Sequence, residues 1–224
     1  MTLGAGQAKR PAKRKPPERP SKDIRLGLIY QTAAKIIHEQ GYDATSLNDI
    51  AKACGLTKAG LYHYVSSKES LLYEIMNHGM DLVESDVLAP ARLVEDPRDR
   101  LRTIVRTYAN LIMMERQAMT IMVNETNGLN GKRRGKIRER RQVFYNFVGE
   151  TIQRIKDEHG VAVADVGVTT LNFVGCLVWL AYWYHADGRL TKERVTEELV
   201  VQLVDRMVGL SLPLEQTAKS RSAK

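Results

Sequence analysis

Apolar residues recur along this chain at helical spacing, and no run alternates with the two-residue period of a strand. Ile29, Ala33, Ile36 and Ile37 share one face of a first helix that starts near Ile24, and Gly41 stands where a C-cap belongs. Thr45 reads as the N-cap of a short helix with Leu47, Ile50 and Ala51 facing inward. Cys54-Gly55-Leu56 reads as a tight turn, after which Thr57 caps a second short segment carrying Ala59, Leu61 and Tyr62. Ser66 and Ser67 open a fourth helix with the stripe Glu69, Leu71, Leu72, Ile75 and Met76. Ala89-Pro90 and Asp96-Pro97 mark the boundary to a second half. Long helices are expected there over about 98–115, 117–127, 132–158, 165–186 and 191–209, separated by Asn127-Gly128, His159-Gly160 and Asp187-Gly188. The pattern predicts an all-α protein, with three short helices in front of a bundle of longer ones.

Composition narrows this picture. The 224 residues and 43% hydrophobic content suit a folded globular chain with a sizeable core. The formal net charge of +8 belongs to the two ends. Residues 1–22 hold seven basic side chains (Lys9, Arg10, Lys13, Arg14, Lys15, Arg19, Lys22) against Glu18, and Lys219, Arg221 and Lys224 close the chain. A flexible basic arm over 1–21 and a basic tail over 212–224 are therefore expected, with a polyanion as the natural partner of the first. Cys54 and Cys176 lie far apart, which suits a reducing cytoplasm better than a disulfide framework. No apolar run follows the basic N-terminus, so no secretory leader is expected. Val166 to Tyr184 carries no charge, but Thr169, Thr170 and Asn172 interrupt it, and a buried or interface helix is expected rather than a membrane span.

Two short capped helices around a glycine turn are the unit that sets a helix into the major groove of DNA. The second of them offers Thr57, Lys58, Tyr62, His63 and Tyr64, whose donors and flat surfaces suit base edges and phosphates. Ala59 and Gly60 are small enough to let the backbone approach the groove, while Thr45, Ser46 and Lys68 lie at helix starts suited to holding phosphate. Leu61 reads as core. The runs Thr45-Ser46-Leu47-Asn48-Asp49-Ile50-Ala51, Gly55 to Val65 and Ser67-Lys68-Glu69-Ser70-Leu71-Leu72 resemble, in that order and spacing, the N-terminal domain of the TetR family of repressors. Val65 departs from the phenylalanine more usual there, which bears on packing under the recognition helix. The resemblance implies phosphate contacts at Thr45 and Lys68, and groove contacts at Thr57, Lys58, Tyr62, His63 and Tyr64. A basic arm directly ahead of such a domain is expected to lie along DNA and to steepen the salt dependence of binding.

The resemblance further implies that the C-terminal helices bind a small ligand and form a homodimer. The sequence agrees in part. The 165–186 helix is apolar nearly all round, so it needs cover on more than one side. Gly167, Leu171 and Gly175 share a face that another helix could approach closely, and Leu199, Leu203 and Met207 continue a stripe from Val195 on the last helix. A four-helix interface between two copies is expected. Tyr108, Met113, Met114, Met119 and Met122 are either core filler or the lining of an adaptable lipophilic cavity. Arg133, Arg134, Arg138, Arg140 and Arg141 crowd one long helix, as a solvated face or as a cradle for an anion. Asn124-Glu125 and the run Trp183-Tyr184-His185-Ala186-Asp187-Gly188-Arg189-Leu190-Thr191 resemble TetR-family regulators of fatty-acid, steroid and phenylacetate degradation, several of which answer to acyl-CoA thioesters; His185-Ala186 departs from the Arg-Pro usual in that motif.

These readings converge on a helix-turn-helix DNA-binding domain over 22–70 and a helical ligand-binding and dimerisation domain over 71–211. The effector residues expected are Tyr108, Met113, Met119, Met122, Glu125, Arg138, Arg141, Trp179, Tyr182 and Trp183. The expected partners are double-stranded operator DNA, a second copy and a small effector, possibly an acyl-CoA, with no membrane and no cofactor. The expected mechanism is a dimer docking two recognition helices about 34–36 Å apart on a palindrome, released by its effector. Two alternatives stay open: a cation-sensing multidrug repressor using Glu125 in an aromatic cage, and a nonspecific nucleoid-associated protein. An enzyme is not expected. Gly131-Lys132 lacks the hydroxyl residue of a P-loop, His38-Glu39 lacks the second histidine of a zinc hydrolase, and five scattered histidines outline no metal site.

Overall fold

The computed structural model describes residues 21–209; the basic tail and all of the basic arm but Ser21 lie outside them. Every regular element among the described residues is helical. The first, α1 (Lys22–Gln40), ends at Gly41, whose φ of 85° is a left-handed conformation that glycine adopts without a steric penalty. Helix α2 (Leu47–Ala53) is capped by Ser46, not Thr45 as the sequence suggested. Ser46 and Asp49 form a reciprocal capping box, while Thr45 is buried, with its hydroxyl donating to Gly41 O at 2.8 Å. The hydrogen bonds from Ser46 hold the Asp49 carboxyl below its usual range. The cap is therefore intact at neutral pH and is lost as pH falls through that lowered value.

Thr57 caps α3 (Lys58–Tyr62), and a Ser67 capping box opens α4 (Lys68–Leu82). Helix α4 does not stop at Ala89-Pro90. It runs through a π-helical stretch (Val83–Leu88) into a last turn (Ala89–Arg92) that contains Pro90. The local widening precedes the residue that has no N–H to give, which is how a helix absorbs proline without ending. The break falls at Asp96, which caps α5 (Pro97–Met114). Then come α6 (Arg116–Asn124), a 3-10 turn (Thr126–Gly128), α7 (Gly131–His159) and α8 (Val166–Val178). One further turn (Leu180–Trp183) follows α8, and α9 (Lys192–Val200) continues through a π-helical stretch to Gly209.

Helices α1 to α3 and the start of α4 share a small core in which Ile29, Ile37, Ile50, Leu61 and Leu71 are fully buried, each such burial contributing about 1.5–3 kcal/mol. Val65 joins them, so the smaller side chain still fills the space beneath α3. In the second unit α5 is central, packed by α7, α8, α9 and the end of α4. Val166–Trp183 is long and apolar enough to cross a membrane by length and composition, yet Phe173, Val174, Leu177 and Leu180 are buried against the bundle.

The two units meet at the turn before α7. A Cβ added to Gly128 would stand 2.7 Å from the Tyr42 ring and 2.8 Å from Leu72. Gly128→Ala must push these apart, and an equilibrium urea melt should show about 1–3 kcal/mol of lost stability; an unchanged midpoint would mean that the turn does not press on Tyr42.

Candidate DNA interface and effector site

On the two-helix unit, Lys58, Ala59, Tyr62 and His63 are exposed on the outer face of α3, and Leu61 and Val65 take the inner face. Tyr62 is half exposed, although nothing polar inside the protein requires this. Ser46 and Thr57 are exposed at the starts of α2 and α3, where first-turn amides have no intrahelical partner. Three expected contacts differ in character. Thr45 is buried and spends its hydroxyl on the Gly41 carbonyl, so it is no donor to phosphate. Tyr64 is half-buried against the core. Gly60 is small because its Cβ would crowd Thr57 Oγ1 at 3.2 Å, the oxygen that accepts the Gly60 N–H to cap α3. Lys68 is tied inward: its Nζ lies 4.2 Å over the Tyr42 ring and donates to Asp43 O at 3.2 Å.

The arginine-rich helix α7 divides its side chains between two tasks. Arg133 pairs with Glu69 at 3.0 Å and lies over the Tyr73 ring; Arg140 pairs with Asp81 at 2.7 Å and donates to Asn77. Glu69 also accepts the Asn130 N–H at 3.0 Å. All of these hold α7 against α4, the helix that begins directly after the recognition helix. Glu125 belongs to the same junction. Its carboxylate accepts the Tyr42 N–H at 3.4 Å, so it faces the DNA-binding unit rather than a cavity, and the expectation of an effector contact there is corrected.

Arg138 and Arg141 point the other way. With Gln142, Tyr145, Asn146 and Gly149 they line a cleft of about 660 Å³ whose far wall is Val166, Gly167, Thr170 and Leu171 of α8. Arg141 and Tyr145 also line an internal cavity of about 30 Å³ with Met80, Val83, Tyr108, Met122, Phe144 and Val178. The two spaces thus share a wall. Tyr108 is buried, its ring 4.7 Å from Phe144, and burial drives its pKa far up.

Of the expected effector residues, Tyr108, Met122, Arg138 and Arg141 come together. Met113 and Met119 do not line either space; both pack in the core, Met119 beside Gly79. Trp179 and Trp183 are exposed on the outside of α8, Trp179 stacked on Tyr182, whose hydroxyl donates to Asn124. These three are corrected as cavity residues: the helix turns them away from the bundle. Met80, Phe144 and Tyr145 were missed, although 138, 141, 142, 145, 146 and 149 carry the three-and-four spacing of one helix face. A separate groove of about 460 Å³ runs between α1, α4 and the α5–α6 corner; Asp23 and Glu115 stand on it, so it is poorly suited to anions.

The expected interface residues also split. Gly167, Leu171 and Gly175 are exposed in line on α8, whereas Leu199, Leu203 and Met207 are half-buried against their own core.

Comparison with known proteins agrees with this architecture. Residues 29–75 match the family described as bacterial regulatory proteins, tetR family, and residues 94–208 match the tetracyclin repressor-like C-terminal domain. The transcriptional repressor KstR2 of Rhodococcus jostii is 28% identical over 83% of this chain and 90% of its own length. Among solved structures, AibR in complex with isovaleryl coenzyme A and operator DNA is 35% identical and superposes with a TM-score of 0.75, over 80% of this chain and 98% of that one. The TetR-family regulator PfmR of Thermus thermophilus is 28% identical with a TM-score of 0.73, over 79% of this chain and 97% of its own. An exposed recognition helix at one end, a helical bundle at the other and matches to both halves make this chain a member of the TetR family of transcriptional regulators, a DNA-binding protein and not an enzyme.

Proposed function

We propose that the chain is a homodimeric repressor that binds a palindromic operator and is released by an acyl-CoA thioester with a short acyl chain. The observation that carries the effector reading is the shared wall between a basic cleft and an apolar cavity. Arg138 and Arg141 supply charge to a space large enough for a nucleotide-bearing group, and Arg141 and Tyr145 lead into a pocket of methionine and aromatic side chains. The buried Tyr108 hydroxyl makes no hydrogen bond among the described residues and stays protonated, so it is free to donate to the thioester carbonyl. The cavity admits only a few carbons before Met80 and Met122 must move, which favours short acyl chains. AibR, whose structure holds isovaleryl coenzyme A, supports the same class.

The contacts also suggest how the signal travels. A CoA group drawing Arg138 and Arg141 into the cleft pulls on α7, and α7 holds α4 through Arg133 and Arg140. The effector acts because it binds a state with the wrong recognition-helix spacing more tightly. AibR holds effector and DNA in one complex, which favours a graded loss of affinity over mutual exclusion. The drug-sensing alternative loses its acidic residue, since Glu125 is engaged with Tyr42, and its aromatic cage, since Trp179 and Trp183 face outward.

Fluorescence anisotropy on the DNA upstream of its own gene, against excess nonspecific DNA, tests the reading. Specific binding weakened by isovaleryl-CoA and less by palmitoyl-CoA is expected; specific binding that no acyl-CoA relieves would contradict the effector class, and binding with no sequence preference would contradict the repressor. Lys58→Ala should weaken operator and nonspecific DNA alike and lower the salt slope by about one. A slope identical to the wild type would remove Lys58 from the phosphate contacts.

A further inference from the structure

The cleft that holds Arg138 and Arg141 is open on one side, and that side runs directly into the uncovered face of α8. Gly167 and Leu171 belong to both. From there the face continues at three-and-four spacing through Gly175, Cys176 and Trp179, all exposed. Val168, Leu171 and Trp179 are 57%, 61% and 58% exposed, although no charge occurs between Val166 and Tyr184 and only a third of Val166–Trp183 is buried. An apolar strip of this length is costly in water and marks a surface that something covers.

What covers it follows from its chemistry and from the rest of the chain. The strip is uncharged and open at Gly175, where an added Cβ would meet nothing within 4 Å, so an identical helix can approach it closely. The chain carries one recognition helix, and reading a palindrome requires a second copy related by a two-fold axis. We infer that the effector site is completed across this two-fold: the α8 face of a second copy closes the open side of the cleft, so that effector and dimer stabilise one another. The inference rests on the effector reading above and adds a regulatory consequence. A ligand that touches both copies binds the dimer more tightly than the monomer, and by linkage it tightens the dimer by the same factor.

Two measurements test it. The first dilutes the wild-type protein, with and without saturating isovaleryl-CoA, and reads the dimer fraction by mass photometry. The dimer dissociation constant should fall by about tenfold or more with the ligand, within the usual range of coupling; an unchanged constant overturns the inference. The second uses Gly175→Arg and Cys176→Arg, which lie beyond the cleft on the same face and add a charge that attracts CoA. Each should give a monomer with wild-type helical content by circular dichroism and isovaleryl-CoA affinity lower by a similar factor, read by titration calorimetry. Monomers that bind with wild-type affinity, variants that remain dimeric, or a monomeric wild type that binds phosphatidylcholine vesicles through this face would each overturn it. A wild-type dimer that binds no acyl-CoA removes the effector reading, and the inference with it.

Discussion

The carboxylate of Glu69 ties the two halves of this protein together. It sits one residue after Lys68, accepts the Asn130 N–H at the start of α7 and pairs with Arg133 one turn further on. Beside it the Tyr42 ring is pressed against Gly128, with no room for a Cβ, and Lys68 covers that ring. The small helix-turn-helix core thus does not hang from the bundle by α4 alone. It is held at a second point, where the turn before α7 meets the turn before α2.

The strength of that hold matters as much as its place. Each ion pair of the junction is partly exposed, and such pairs are worth about 1 kcal/mol or less. A junction of several weak contacts around one tight steric contact can change its geometry for the few kcal/mol that an effector supplies. The bundle core behind it is different in kind: Leu101, Ile104, Ile137, Val148 and Ile152 are fully buried, so α5 and α7 move as packed bodies rather than deform. One helix carries both contact sets, with Arg133 and Arg140 toward α4 and Arg138 and Arg141 toward the cleft.

Much of this was legible in the chain. The helical period located every long helix to within a few residues, because apolar stripes on helices that bury one face are strong local signals. The second half of α4 was less legible, since Pro90 is an ordinary stop signal and the widening that absorbs it leaves no mark in the pattern. Ser46 and Thr45 are both good caps, and only the burial of Thr45 separates them. The recognition-helix face followed from local order. The effector site did not: Met119 and Met122 look alike in sequence, yet one meets Gly79 and the other a cavity. Nothing local tells an arginine that clamps α4 from one that lines a cleft. Glu125 was misread for the same reason, because its partner Tyr42 is 83 residues away.

The account stands on α7 as the link between cleft and recognition helix, and the coupling itself can be measured. Operator affinity would be determined with and without saturating isovaleryl-CoA for the wild type and for Arg133→Met, alongside the affinity of each for the effector. The account predicts that Arg133→Met still binds both operator and isovaleryl-CoA, while the factor by which one changes the other falls toward one. A variant that keeps the wild-type coupling factor would contradict it.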